Sequence, residues 1–316
     1  MRKRSLSAAA FSALLSASLL VAQPLAAEPA GFPEFSLQAT DAEPVLLGSA
    51  ATIHSRILDE DRTFLMRVPP KAKKSSEAPV DLTVIYILDA EKHFASAAAS
   101  AAFFEASRIS SLGPAVVVGI VSTDRTRDFT PTASNARRDG SIDEKAALLG
   151  GGADKFLEFL TTELRDAAEK RLPAGTRVVR RMLIGHSYGG LFTLHALLTH
   201  PERFDAYAAL DPSLWWDQGK LAEFARQHGA AGAQSLAKPP QLYTAFASKP
   251  RKENTFHLSE GKRFQEETAV TLDKEGIRTQ VRFFPDEVHG TVAPPAIFDA
   301  LKVLFPAGNV QKPSPQ

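Results

Sequence analysis

Cysteine is absent from the 316-residue chain. That excludes disulfides, thiolate metal sites and a cysteine-borne lipid anchor, so an oxidising compartment is tolerated but not exploited. A surplus of one charge is missing too: 37 Lys and Arg face 36 Asp and Glu. No basic block is interleaved with aromatics, which argues against a nucleic-acid partner. Beyond the first thirty residues there is no apolar run long enough to cross a bilayer. His93, His195, His200, His228 and His257 lack the paired spacing with carboxylates that a metal site needs, so no metal and no cofactor is expected. No internal repeat is present either. What remains is a chain that is 44% hydrophobic, enough for a sizeable core and of a length that suits one large α/β domain.

The first residues read MRKRSLSAAAFSALLSASLLVAQPLAAEPA. Three positive charges, a small-residue apolar core and LAAE have the anatomy of a secretory signal with cleavage after Ala27; an uncleaved anchor is the other reading. Removing Arg2, Lys3 and Arg4 takes the net charge from +1 to −2. Residues 28–307 are then expected to be a single domain and 308–316 a disordered tail.

ATIHSRIL and RTFLMRVPP alternate polar and apolar residues, as half-buried strands do, with DED as the turn between them. DLTVIYILDA and PAVVVGIVST are near-continuous apolar runs, as parallel strands buried on both faces require, and a helix from about Phe94 to Ser110 crosses between them. TDRTRDFTPTASNARRDGSIDEKAALLGGGA is a long polar loop, either facing substrate or floppy. DKFLEFLTTELRDAAEKRL puts Phe156, Phe159, Leu160 and Leu164 on one helical face, with Asp154 placed as N-cap. Strand and helix then alternate to the end, closing with strand RTQVRFFP and helix PPAIFDALKVLF. The total is eight strands, the first two antiparallel, in one mostly parallel sheet with helices on both faces.

RMLIGHSYGGLFTLHALL carries the chemistry. G-x-S-x-G at Gly185–Gly189, between an apolar strand and an apolar helix, is the pattern of a nucleophile elbow, in which a sharp strand-to-helix turn projects a serine. Read alone, Ser187 is also compatible with a plain turn serine. The order of an α/β-hydrolase decides for the nucleophile: the elbow follows strand five and the histidine follows strand eight, where FFPDEVHG puts His289. An imidazole titrating near neutrality takes the serine proton and returns it to the leaving group. His186 is expected to pack beside the nucleophile. The orienting acid stays open between Glu253 after strand seven, Asp211 after strand six, and a dyad with no acid. Oxyanion donors are expected from the backbone N–H of Tyr188 and from the loop after strand three, at Ala90 or Glu91.

With these stretches and GHSYGGLFTLHALLTHPERFDAYAALDPSLWWD in view, the sequence resembles the putative-esterase family of α/β-hydrolases, which includes esterase D and the enterobactin-type siderophore esterases. It is most similar to the periplasmic siderophore-esterase branch, over nearly all of the mature chain. The resemblance implies a periplasmic serine ester hydrolase working without metal through Ser187 and His289. It also implies Arg125 and Arg127 at the mouth of the site, suited to catecholate or carboxylate groups; a solvated loop in which they pair with Asp124 and Asp128 is the other reading. Trp215 and Trp216 are expected to wall the pocket or simply to pack. Relatives commonly have Ser where this chain has Asp211. The expected substrate is a small-molecule ester, the trilactone of a catecholate siderophore. A general short-acyl esterase, an acyltransferase and a non-catalytic ligand binder are the alternatives.

Overall fold

A computed structural model describes residues 46–307 apart from 74–77, 108, 138, 140, 231 and 251–254. The expected signal segment 1–27 and tail 308–316 lie outside the described residues, as does Glu253.

Eight strands form one sheet: β1 (Ser49–Ser55), β2 (Glu60–Arg67), β3 (Val80–Ile87), β4 (Ala115–Ile120), β5 (Thr176–His186), β6 (Ala206–Leu210), β7 (Gln241–Ala247) and β8 (Arg278–Phe284). Their spatial order is β1-β2-β4-β3-β5-β6-β7-β8. β1 pairs antiparallel with β2, and β2 antiparallel with β4; every other pairing is parallel. The sequence pattern explains the difference. β2 alternates buried and half-buried residues along much of its length, whereas every residue of β4 and of β6 is buried, as strands covered on both faces must be.

Helices α1 (Ala90–Ala106) and α9 (Ala293–Leu304) pack together and bury Phe94, Phe104, Ile297 and Leu301 against one face of the sheet. On the other face lie α2 (Arg125–Phe129), α3 (Ala153–Phe159), α4 (Arg165–Glu169), α5 (Tyr188–Thr199), α6 (Lys220–His228), α7 (Thr255–Arg263) and α8 (Ala269–Lys274). That core holds Phe129, Phe156, Phe159, Phe192 and Leu164. α3 and α4 are one continuous helix interrupted by a π-turn at Leu160–Leu164, and α7 and α8 are joined in the same way through Phe264–Thr268. The helix expected around Phe156 starts two residues earlier than its sequence reading: Gly152 is the N-cap, and Asp154 sits in the first turn, where its carboxylate takes a 2.7 Å hydrogen bond from His195 Nε2. The first crossover helix runs from Ala90 to Ala106, a turn earlier than periodicity suggests.

The long polar loop after β4 folds back as an excursion. It contains α2 and a small antiparallel ribbon, Ala133–Ser134 with Leu149–Gly150. Trp216 fastens it, donating its indole N–H to the Thr132 carbonyl at 3.0 Å.

Three adjacent parallel strands end in non-glycine residues with positive φ: Asp89 (52°) after β3, Ser187 (60°) after β5 and Asp211 (43°) after β6. A left-handed backbone at a residue with a Cβ is held against its own preference, and such positions collect at functional sites. The carboxyl ends of parallel strands are where open α/β sheets place their ligands.

Candidate active site

The elbow is built from close approach. At Gly185 a Cβ would lie 2.1 Å from the carbonyl oxygen of Gly189 and 2.7 Å from Thr193 Oγ1, so the strand can meet the first turn of α5 only without a side chain there. Gly190 is nearly as constrained: a Cβ there would stand 3.0 Å from both Leu210 O and Pro212 Cα. Between these contacts Ser187 takes its φ of 60° and ψ of −118°, anchored by its N–H to Leu210 O at 3.0 Å. The bend leaves its hydroxyl at the half-buried mouth of the sheet.

His289, in the turn after β8, brings Nε2 to 3.0 Å from Ser187 Oγ. Its Nδ1 lies 2.6 Å from Asp211 Oδ2. Asp211 is fully buried, its other carboxylate oxygen accepts the Ala247 N–H at 3.2 Å, and its own N–H reaches Ala245 O at 2.7 Å. A buried carboxylate so held fixes the imidazole tautomer: Nδ1–H donates to Asp211, and Nε2 is left to accept the Ser187 hydroxyl proton. Of the acids left open by the sequence, Asp211 occupies the place against Nδ1.

A second hydroxyl joins the site without having been expected from the sequence. Ser213 Oγ lies 3.3 Å from Ser187 Oγ, and the Ser213 N–H donates to the Ser187 carbonyl at 3.1 Å. Since the Ser187 proton is directed at His289, Ser213 is the donor of that pair. Its one signal is its place in the LDPSLWW segment, where Asp211 and the tryptophans draw attention first.

His186 packs beside the relay, as expected. Its ring lies 4.7 Å from that of His289, and its Nε2–H donates to the His289 carbonyl at 2.8 Å. Burial, reinforced by His289 and His93, lowers its pKa to about 3, so it stays neutral and serves as a fixed donor.

The expected oxyanion amides, Tyr188 and Ala90, are the first residues of α5 and α1. N–H groups at a helix start point outward along a favourable dipole. The two starts are neighbours: a Cβ on Gly189 would lie 3.4 Å from Leu88 Cδ1 and 3.6 Å from Asp89 Oδ2.

Arg125 and Arg127 part company. Arg125 grips the buried Asp89 with two hydrogen bonds, Nε to Oδ1 at 3.0 Å and Nη2 to Oδ2 at 3.1 Å, and its guanidinium carbon lies 5.3 Å from the centroid of the Tyr188 ring. Burial alone would raise the Asp89 carboxyl, but the Arg125 fork and the Ser122 hydroxyl outweigh it and hold it below its usual value. The Arg125 side chain stays 31% exposed. Arg127 is taken up by two carboxylates, Glu60 at 2.6 Å and Asp128 at 2.7 Å, and Asp128 also binds the fully buried Arg62. The Arg127 hydrogen bonds, against a smaller burial effect, lower the Glu60 carboxyl to about 2. Trp216 is buried, whereas Trp215 is half-buried; both rings pack on Tyr188, with centroids 5.3 and 5.9 Å away.

Among the described residues no cluster of His, Asp and Glu is arranged to hold a metal ion, and no helix is long and apolar enough to cross a membrane.

Comparison with known proteins agrees with this geometry. The siderophore enterobactin esterase of Emericella nidulans is 30% identical over 248 residues, 70% of this chain and 81% of that protein. The ferri-bacillibactin esterase BesA of Bacillus subtilis is 28% identical over 260 residues, covering 79% of this chain and 88% of its own. Among solved structures, an IroE-like serine hydrolase from Shewanella oneidensis superposes with a TM-score of 0.69 at 29% identity, covering 82% of this chain and 80% of that one. The family model described as putative esterase matches residues 55–285, and with the eight-stranded sheet and its elbow this leads to one conclusion: the chain belongs to the putative-esterase family and is an ester hydrolase of the α/β-hydrolase fold.

Proposed function

We propose that Ser187, His289 and Asp211 form the catalytic relay of a serine esterase working through an acyl-enzyme. The observation that carries this reading is the unbroken chain of contacts from Asp211 Oδ2 through His289 to Ser187 Oγ, 2.6 and 3.0 Å long, at a strained elbow. His289 Nε2 takes the proton as Ser187 Oγ bonds to the ester carbonyl carbon, and the tetrahedral oxyanion is met by the N–H groups of Tyr188 and Ala90. The imidazolium, stabilised by Asp211, returns that proton to the departing alkoxide as the ester C–O bond breaks. Water then attacks the acyl-enzyme, giving its proton to His289, and the acid is released as the proton returns to Ser187 Oγ.

The substrate in this reading is a siderophore ester, and more narrowly the trilactone of a catecholate siderophore. The substrates named for the E. nidulans and B. subtilis relatives support it. So do the part-exposed Arg125 guanidinium, suited to a planar oxygen-rich group, and the Trp215 ring, each packed on Tyr188. The signal-like pattern of residues 1–27 supports a secreted, periplasmic site of action.

The test is mass spectrometry of products when the protein and its Ser187→Ala variant meet ferric and iron-free enterobactin, with p-nitrophenyl acetate as activity control. Stepwise gain of water by the wild type alone is expected. Turnover of the acetate with the trilactone intact refutes the substrate and leaves the relay. Full activity in Ser187→Ala refutes the relay itself.

A further inference from the structure

Beyond the relay, the segment after β6 leads straight into a cavity. Asp211 touches His289 and Ser213 touches Ser187 Oγ, and the next two residues, Leu214 and Trp215, wall a cavity of about 460 Å³. That volume is in the range of small-molecule sites. Ser213 and Trp215 are two positions apart, so the aromatic wall begins within about 7 Å of the nucleophile's neighbour along the backbone. The Trp215 ring spans both spaces, packing on Tyr188 while it lines the cavity.

The rim is strained. Asp217, Gln218 and Gly219 follow one another with φ of 49°, 57° and 82°. Two of these carry side chains, so surrounding structure must hold a left-handed turn that neither prefers, a pattern concentrated at ligand clamps. Asp217 is fixed by Ser134 of the ribbon, at 3.2 Å, and by Lys220, at 2.9 Å.

The chemistry of the walls narrows the ligand. Lys220, Arg226 and Arg263 supply three positive charges; Asp139, Glu223 and Glu260 supply three negative ones. The cations are already engaged: Lys220 by Asp217, Arg226 by Glu223 and Glu267, and Arg263 by Glu267. A wall of balanced charge whose cations are already paired does not select a strong anion. It offers both donors and acceptors in the same cavity as Trp215, which suits a neutral planar ring bearing amide or hydroxyl groups.

We propose that this cleft between α6 and α7 is a second subsite of the ester hydrolase, taking a ring-bearing arm of the acyl group while Ser187 attacks the ester carbonyl. The inference rests on the reading of Ser187 as nucleophile. It adds a place for the part of the substrate that does not react, and binding energy from such remote parts is what raises turnover of the full substrate over a truncated one.

The test compares two esters with one leaving group: p-nitrophenyl acetate, whose acyl group cannot reach the cleft, and the p-nitrophenyl ester of N-benzoylglycine, whose acyl group carries a benzamide arm. Two variants fill the cleft from opposite walls, Glu223→Trp on α6 and Arg263→Trp on α7; both native side chains are about half exposed, so the fold has room for the change. The expected result is a fall of about tenfold or more in kcat/KM for the benzoylglycine ester, with acetate kinetics within about twofold of wild type. A fall in either folded variant supports the subsite. A ratio of the two esters unchanged or raised in both overturns it, and so does a wild type that does not cleave the benzoylglycine ester. Failure of the nucleophile reading is separate: it would show as acetate turnover surviving Ser187→Ala.

Discussion

Replacing Asp211 by Asn isolates the electrostatic part of the relay. The fold should accept the change, because the new side chain's Oδ1 can keep the Ala247 N–H now held at 3.2 Å while its amide group takes the place of Oδ2 at 2.6 Å from His289 Nδ1. That amide is a donor where a carboxylate was an acceptor. His289 must then carry its proton on Nε2, which can no longer accept from Ser187 Oγ, 3.0 Å away. In the Ser-His-Asp template this tautomer error costs on the order of 10⁴ in kcat with geometry intact, about 5.5 kcal/mol of barrier. The assay is steady-state hydrolysis of p-nitrophenyl acetate, with a thermal melt to show that the Asp211→Asn protein remains folded, and Glu253→Gln measured beside it. A loss of under about tenfold in folded Asp211→Asn protein would refute the argument. An equal or larger loss in Glu253→Gln would move the orienting acid to the loop after β7.

Gly185→Ala should destabilise by about 3 kcal/mol, since its Cβ would meet backbone 2.1 Å away; urea titration measures this, and a midpoint within error of wild type would contradict the packing. His186 has a folded pKa lowered from 6.5 to about 3, so between those values the unfolded chain alone binds its proton. Its contribution is full above pH 6.5 and is lost as pH falls, by about 1.4 kcal/mol per pH unit; stability measured from about pH 7 to 4.5 should fall less steeply in His186→Gln. Arg125→Gln strips Asp89 of the partner that holds its carboxyl low, a stabilisation present above the ordinary carboxyl range and lost below it. The deficit of this variant, about 3 kcal/mol near neutrality for breaking a buried pair, should shrink as the carboxyl range is crossed downward in denaturant titrations; a pH-independent deficit would point to packing instead.

The sheet was legible because its central strands are near-continuous apolar runs, its first two alternate polar and apolar residues, and Gly185 sits where backbone must meet backbone. Counting strands was enough to put Ser187 and His289 at their ends. The acid was not legible, because more than one carboxylate stood near enough in chain order. What singles out Asp211 is direction: a left-handed turn, with φ of 43°, and an amide on β7 aim that carboxylate at His289. Arg125 and Arg127 were inseparable as neighbours in one loop. Burial divides them, since Glu60 from β2 closes over Arg127, and no local pattern announces that a residue 67 positions earlier in the chain will do so. Ser213 escaped notice because a serine two residues beyond an acid carries no signature of its own.

The relay also has a history within each molecule. Its members are far apart in the chain, His289 standing 78 positions beyond Asp211 and 102 beyond Ser187. Asp211 is set by the amide and carbonyl of β7, and His289 follows β8, an edge strand. During synthesis the elbow is therefore made before its proposed base, and on this reading the growing chain stays chemically silent until its last strand docks. After dilution from denaturant, regained turnover will time the arrival of that edge strand and lag the burial of the central ones.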